Sequence, residues 1–125
     1  MLGDSRANSS FAVDDLHRAL EFYGQTLGLE TTVIDEQHGL MIIHLAGDQD
    51  IFVYVKPDFV PATYTVLNFT VDDVDAAVDG LAERGVQVER YEAMDQDEKG
   101  ISRGPGPTVA WFKDPAGNIL SVLKQ

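Results

Sequence analysis

His44 is the side chain in this sequence best suited to chemistry, because it interrupts an otherwise apolar segment at residues 40–45. An imidazole changes its charge near neutral pH, so His44 could serve as a general base or as a metal ligand. A histidine within a strand is more often hydrogen-bonded to its neighbours, and we favour that ordinary role. His44 is therefore the candidate catalytic residue, weighed against a structural alternative.

The rest of the sequence supplies no second group of the kind that catalysis needs. His17 and His38 fall on separate predicted elements, and none of the histidines is spaced as in His-x-His or His-x-x-x-His. The absence of cysteine excludes disulfides, a thiolate nucleophile and sulfur-bound metals. Segment 104–107 contains glycines, but its prolines lack the N–H groups of a phosphate-binding loop. Spacing alone therefore indicates no metal cluster, nucleophile elbow or phosphate loop.

The charge of the chain narrows the range of partners. A formal net charge of −12 argues against nucleic-acid binding, which needs a surface rich in lysine and arginine. The same charge could attract cationic ligands, although it more simply favours solubility. No apolar run approaches the length of a membrane-spanning helix, and residues 1–10 lack the features of a signal peptide. We expect a cytoplasmic protein that binds neither membranes nor nucleic acids.

An internal repeat organises the chain. The sequence Phe-Ala-Val-Asp-Asp at 11–15 returns as Phe-Thr-Val-Asp-Asp at 69–73, and both copies lead to a glycine–hydrophobic pair, at 28–29 and 85–86. This spacing divides the chain into two similar halves of about sixty residues. Paired small modules often enclose a cavity, which is where ligands bind.

Each half is predicted to have the order β-α-β-β-β. Asp14 or Asp15 can cap the first helix, and Gly28 can end it. The modules span about 8–56 and 64–124 of a single domain, joined by a proline-containing linker at 57–63. Segment 92–107 is rich in charge, glycine and proline and is predicted to be a long loop. Strands are expected at 8–13, 31–35, 40–45, 51–56, 65–71, 86–91, 108–113 and 119–123, and the second helix at 73–84.

Four motifs stand out: Val-Asp-Asp-Leu (13–16), Glu-Phe-Tyr (21–23), Leu-Gly-Leu (27–29) and Trp-Phe-Lys-Asp-Pro-Ala-Gly-Asn (111–118). Together they resemble the vicinal oxygen chelate superfamily, which includes glyoxalase I, bleomycin-resistance proteins, fosfomycin-resistance enzymes and extradiol dioxygenases. The resemblance implies an α+β fold in which two βαβββ modules form a cup-shaped, partly open eight-stranded mixed sheet around a ligand pocket. Many relatives are dimers, so a homodimer is expected. These motifs are caps, turns and core positions, and a fold that supports many reactions does not specify one.

Metal-using members of this superfamily carry histidine, glutamine or glutamate at four inward-facing strand positions. In this sequence the resemblance places Asn8, Val66 and Ser121 at three of them, and the fourth falls within 52–54, where no carboxylate occurs. Asparagine and serine alone bind divalent ions weakly. We therefore expect no cofactor and no metal at these positions, while a divalent metal held by other groups is not excluded.

The inward-facing side chains are small, polar or aromatic and suit an uncharged or aromatic organic ligand. The alternative is that they satisfy backbone groups or fill the core. Trp111 could form a wall for a flat ligand. Arg103 could reach an anionic group if segment 92–107 is a lid, and otherwise the segment is a solvated excursion. The predicted ligand-binding residues are Asn8, Ser10, Phe52, Tyr54, Asn68, Thr70, Arg103, Trp111 and Ser121.

The leading hypothesis is a small-molecule-binding protein that sequesters an organic ligand, as bleomycin-resistance proteins do. The alternative is a metal-dependent lyase, isomerase or dioxygenase that uses His44. A third hypothesis is a ligand-free domain retained for protein–protein contact.

Overall fold

The computed structural model describes all residues from 1 to 125 and divides into two compact units, Met1–Val60 and Pro61–Gln125. The boundary between the units lies inside the predicted linker at 57–63. Both units combine helix with sheet, which confirms the α+β class. No helix has the length and apolar character needed to cross a bilayer.

The first unit has the predicted β-α-β-β-β order. Its four strands form one sheet in the order β1-β4-β3-β2, with β1 parallel to β4 and the other neighbours antiparallel. The elements are β1 (Ser9–Val13), α1 (Leu16–Leu20), β2 (Glu30–Asp35), β3 (Leu40–Leu45) and β4 (Gln49–Val55).

The first helix begins at Asp15, whose carboxylate accepts a hydrogen bond from the backbone N–H of Arg18. After Leu20 the helix continues as a π-helical segment, Glu21–Thr26, in which the N–H of Leu27 reaches the carbonyl of Phe22. With this wider turn, Phe22 is buried while Leu20 and Leu27 are only partly so.

The two faces of the first sheet differ sharply. One face packs against the helical segment, where the Tyr23 ring is completely buried and lies 5.8 Å from the Phe11 ring. Side chains alternate between faces along each strand, so the neighbours of this buried set point the other way. The second face is therefore open. The buried strand residues are Phe11, Val13, Met41, Ile43, Ile51 and Val53.

The second unit is a smaller sheet with one helix. Its three strands lie in the order β5-β7-β6, with β5 parallel to β7. Asp73 caps the helix by accepting from the N–H of Ala76, as the repeat predicts. The elements are β5 (Thr65–Thr70), α2 (Val74–Glu83), β6 (Thr108–Lys113) and β7 (Ile119–Lys124).

The predicted strand at 86–91 is wrong, and the expected eight strands are seven. The segment meets β6 through one bridge between Val88 and Phe112 and through the hydrogen bond from the Glu89 N–H to the Trp111 carbonyl. Beyond it the backbone is taken up by a side chain: Gln96 accepts from the N–H of Tyr91 and donates to the carbonyl of Glu89. Because these groups are occupied locally, they cannot extend a ladder.

The turn between β6 and β7 is organised by one carboxylate. Asp114 is buried and accepts from the backbone N–H groups of Ala116 and Asn118 and from the Asn118 side-chain amide. Gly117 has a φ of +96°, a conformation that L side chains rarely adopt. The Asp-Pro-Ala-Gly-Asn motif is therefore structural, and it fixes the register of the strand that carries Ser121.

Candidate functional site

The open face of the four-stranded sheet presents a group of apolar and aromatic side chains. Strand pairing places Ser10, Phe52, Ile42 and Thr32 side by side in one row across the four strands. The rings of Phe52 and, two residues along β4, Tyr54 are 39% and 40% exposed. Grouped exposed apolar side chains of this kind mark binding surfaces. We call Ser10, Leu40, Ile42, Phe52 and Tyr54 the aromatic face.

Three hydrogen-bonded side chains, those of Thr32, His44 and Asp50, border the aromatic face. His44 Nδ1 lies 2.9 Å from Asp50 Oδ1, and His44 Nε2 lies 2.7 Å from Thr32 Oγ1. The side chains of His44 and Asp50 are 32% and 40% exposed, so solvent can reach these hydrogen-bonded groups. Because both ring nitrogens have partners, His44 could bind a metal only by giving one of them up. His44 is thus a hydrogen-bonded strand residue, and its candidate catalytic role stays a prediction.

Asn8 and Ser10 lie at the far side of this sheet. Asn8 is exposed and its amide donates to the backbone carbonyl of Asp50, 3.1 Å away. Ser10 is exposed beside Phe52. Asn8 therefore joins β1 to the start of β4, whereas Ser10 belongs to the aromatic face.

The remaining strand residues predicted for the site lie in the second unit. Asn68, Ser121 and Trp111 are directly paired across the three strands and share one face, and Thr70 follows two residues after Asn68. Asn68 and Thr70 are exposed. Ser121 is fully buried, and its hydroxyl donates to Asn68 Oδ1. Ser121 thus orients the Asn68 amide, and Asn68 is the group that a ligand could meet.

Trp111 is held by a second aromatic ring. The Tyr91 ring meets it edge-on at 5.7 Å between centroids. The Tyr91 hydroxyl is buried without a hydrogen-bond partner, and burial, reinforced by the Glu89 charge, raises the pKa of Tyr91. Trp111 is therefore packed against Tyr91 and is still partly exposed to solvent.

The loop 92–107 is anchored to α2. The Arg103 guanidinium pairs with Asp75 and Asp97, both at 2.9 Å, and Lys99 pairs with Asp79 at 2.8 Å. Gly100, Ile101 and Ser102 are buried, whereas 92–95 and 103–107 are exposed, so the loop is packed at its centre and solvated on both sides. The lid stays a prediction. The charge of Arg103 is already matched within the fold, and its predicted contact with an anionic ligand group stays untested.

These ion pairs lower the pKa of two carboxyl groups. The Arg103 hydrogen bond holds the pKa of Asp75 below its ordinary value of 3.8. The pKa of Asp97 is also lowered from 3.8, mainly by the hydrogen bond from the backbone N–H of Ile101 and further by Arg103. A carboxyl group with a lowered pKa stabilises the fold at any pH above its ordinary pKa. This contribution to stability is lost as the pH falls through the lowered pKa.

Acid is therefore expected to release the loop anchor. The difference in Tm between the wild type and Arg103→Gln should be constant from pH 7 to pH 5 and should shrink below about pH 4. Arg84→Gln is the control, because Arg84 donates to the carbonyl of Gly80, which does not titrate. A Tm difference for Arg103→Gln that persists unchanged at pH 2 would contradict this explanation. The measurement is thermal unfolding followed by circular dichroism.

A cavity of about 300 Å³ lies in the second unit at the start of α2. Its walls carry three carboxylates against two cations, and Arg103 is already paired with Asp75 there. No apolar surface comparable with the aromatic face lines it. The lining residues are Asp72, Asp73, Val74, Asp75, Arg103, Thr108 and Lys124.

Comparison with known protein families decides the affiliation of the chain. A model of the Glyoxalase/Bleomycin resistance protein/Dioxygenase superfamily matches residues 7–122. The chain belongs to this superfamily. The resemblance found in the motifs is thereby confirmed. No curated protein matches the chain significantly.

Solved structures of this superfamily share the fold. A glyoxalase family protein from Bacillus anthracis is 22% identical, with a TM-score of 0.72 and coverage of 100% of this chain and 99% of the other. Lactoylglutathione lyase from Agrobacterium tumefaciens is 21% identical, with a TM-score of 0.71 and coverage of 99% and 96%. The antibiotic-binding protein TnmS3 from Streptomyces sp. CB03234 is 26% identical, with a TM-score of 0.71 and coverage of 97% of both chains. The first two show the fold alone.

The superfamily's metal chemistry does not fit the side chains present in this member. The ligand positions carry Asn8, Val66 and Ser121, and Ser121 is buried against Asn68. The structure brings together no group of three histidine, cysteine, aspartate or glutamate side chains that could hold an ion. A divalent ion requires several such donors. The side chains at these positions are therefore unsuited to metal-dependent chemistry.

Elemental analysis tests this absence of a fit. We expect the purified, dialysed protein, prepared without chelator, to contain well under one transition-metal ion per chain by mass spectrometry. About one ion per chain would contradict the assignment and favour the metal-dependent enzyme. His44→Ala is then the decisive variant, because a metal bound by His44 would be lost from it.

Two residues of the site were missed from the sequence. Thr32 and Asp50 complete the hydrogen-bonded chain at His44. Asp50 could have been found, because a hairpin turning at Gly47-Asp48 brings it opposite His44. Thr32 could not, since it lies diagonally from His44 and depends on the register of β2, which contains a bulge after Val33.

Proposed function

We propose that this protein binds flat aromatic small molecules on the aromatic face and holds them without transforming them. The observation that carries the proposal is the open, partly exposed pair of rings, Phe52 and Tyr54, with Ile42 beside Phe52. The likeness to TnmS3, an antibiotic-binding protein at 26% identity, supports a binding role.

The energetics of this face suit a flat ligand. Burial of each 100 Å² of apolar surface contributes about 2.5 kcal/mol, before the cost of association is subtracted. Ring-on-ring contact adds about 0.5–1.5 kcal/mol per pair. Two exposed rings on one rigid strand meet both conditions, because β4 lies between β1 and β3 and cannot shift easily.

The charge of the chain favours cationic or neutral ligands over anionic ones. The formal net charge is −12, and Glu30 and Asp50 flank His44 on the open face. A field of this sign raises the local concentration of cations. The proposed ligand class is therefore aromatic and not anionic.

Sequestration is preferred to catalysis because the His44 imidazole is engaged within the sheet and no metal-binding group of side chains accompanies it. His44 is bonded through both ring nitrogens. The Phe52 ring offers contact surface only, and the Tyr54 ring offers contact surface with one phenol hydroxyl. A binding protein needs only such a surface, whereas an enzyme also needs an available acid, base or metal.

An NMR titration tests the proposal. We expect 2-methoxynaphthalene to shift the amide signals of β3 and β4, with the largest changes at Ile42, Phe52 and Tyr54, and to be recovered unchanged by mass spectrometry. Chemical-shift changes spread evenly over both units would contradict the assignment of the aromatic face as the binding surface. A chemically altered probe would contradict sequestration.

A further inference from the structure

We propose that Thr32, His44 and Asp50 form a directional hydrogen-bond relay that selects ligands carrying an O–H or N–H donor. This inference rests on the proposed function, and it adds the chemical class of the polar group that the ligand must carry. The residues lie on three neighbouring strands, with Asp50 directly opposite His44 and Thr32 diagonal to it.

The direction of the relay follows from Asp50. An ionised carboxylate only accepts hydrogen bonds, so His44 Nδ1, 2.9 Å away, must carry the proton that it donates. In the neutral imidazole the other nitrogen then has a lone pair. The Thr32 hydroxyl, 2.7 Å from Nε2, therefore donates to it. Each member of the relay donates towards Asp50.

This direction leaves an acceptor at the outer end. A hydroxyl that donates its one proton to His44 keeps oxygen lone pairs free to accept. Thr32 is exposed, so these lone pairs are available to a bound molecule. Glu30, paired across from His44, adds negative charge nearby and further favours donor groups.

Thr32 is also correctly placed relative to the aromatic face. Thr32, Ile42 and Phe52 are paired in one row on adjacent strands. Two strand spacings put Thr32 and Phe52 roughly 10 Å apart. A fused two- or three-ring molecule stacked over Phe52 and Ile42 would thus present a substituent on its edge to Thr32.

Asp50 acts through His44 and is a positioning residue. Without its carboxylate the imidazole can protonate either nitrogen, and the Thr32 hydroxyl loses its fixed direction. The relay consequently predicts a change in ligand preference, and not only a change in stability, when Asp50 is replaced by asparagine.

Two probes of the same shape test the relay. We would measure Kd at pH 8 for 2-naphthol, which carries an O–H donor, and for 2-methoxynaphthalene, which carries none. The wild type is expected to bind 2-naphthol about three- to tenfold more tightly, the effect of one net hydrogen bond. Thr32→Val and Asp50→Asn should bring the ratio of the two Kd values close to one. Thr31→Val is the matched control, because Thr31 pairs with the buried Ile43 on the opposite face, and its ratio should equal that of the wild type.

The outcomes separate the relay from the proposed function. Equal binding of both probes by the wild type would overturn the relay and leave the aromatic face standing. Failure of both probes to bind would overturn the proposed function and the selection with it. The ¹⁵N signals of the His44 ring provide a readout that needs no ligand: a proton on Nδ1 in the wild type supports the direction of the relay, and a proton on Nε2 alone overturns it.

Discussion

Replacing Phe52 and Tyr54 together by alanine is expected to weaken the binding of 2-methoxynaphthalene about 30- to 1,000-fold. Each ring contributes about 1–2 kcal/mol through apolar burial and ring contact. Both rings are only about two-fifths exposed and lie on a central strand, so their removal is also expected to lower the free energy of unfolding by about 2 kcal/mol. Isothermal titration calorimetry and thermal unfolding measure the two quantities separately.

Tyr64→Ala is the matched control for this prediction. Tyr64 is 69% exposed and lies in the second unit, outside the aromatic face. Its removal should leave the affinity unchanged. If the double variant binds as tightly as the wild type, the aromatic face is not the binding surface. Asn68→Leu then becomes the informative variant, because it tests the polar face of the second sheet.

Replacing Asp114 by alanine is expected to produce the largest loss of stability, about 3 kcal/mol. The carboxylate accepts hydrogen bonds from the Ala116 N–H and from the backbone N–H and side-chain amide of Asn118, which is only 2% exposed. Without this acceptor the Asn118 donors could not reach water instead. For a chain of this length the loss corresponds to a fall in Tm of about 10 °C. Chemical denaturation with urea gives the free energy directly.

Asp95→Ala provides the comparison for Asp114. Asp95 is exposed in the loop 92–107, where removal of a single surface carboxylate should change stability by less than about 0.5 kcal/mol. Similar losses in the two variants would show that the general reduction of negative charge, and not the turn, governs the effect of Asp114→Ala.

Most of the fold could be predicted because each element has a local signal. Asp15 and Asp73 precede apolar residues at helical spacing, and both cap helices. Alternation along β1 and β4 correctly separates the buried Phe11 and Val53 from the exposed Phe52. Where a side chain competed with the ladder, prediction failed: segment 86–91 alternates like a strand, but Gln96 takes up its backbone groups.

The sequence could not distinguish site residues that are open to a ligand from those that only support their neighbours. Ser121 and Asn68 were both predicted to line a pocket, yet burial of the Ser121 hydroxyl makes it a support for Asn68. Arg103 could reach an anionic ligand group only if the loop is a lid, and in the structure α2 supplies Asp75 as its partner. Which strand residues a distant loop or helix covers depends on contacts that no local pattern encodes. The ligand-binding roles, the homodimer and the cytoplasmic location stay predictions.

The sequence by itself determined the α+β class, the repeat, the superfamily and the lack of strong donors at the usual metal positions, because caps, turns, alternation and residue type are local properties. Tertiary structure alone decided that His44 stands between Thr32 and Asp50 with both ring nitrogens engaged. That arrangement depends on the register of three strands, and a shift of one residue in β2 would turn Thr32 to the opposite face. The direction of the relay, and hence the polar group that a ligand must offer, is therefore a property of strand pairing.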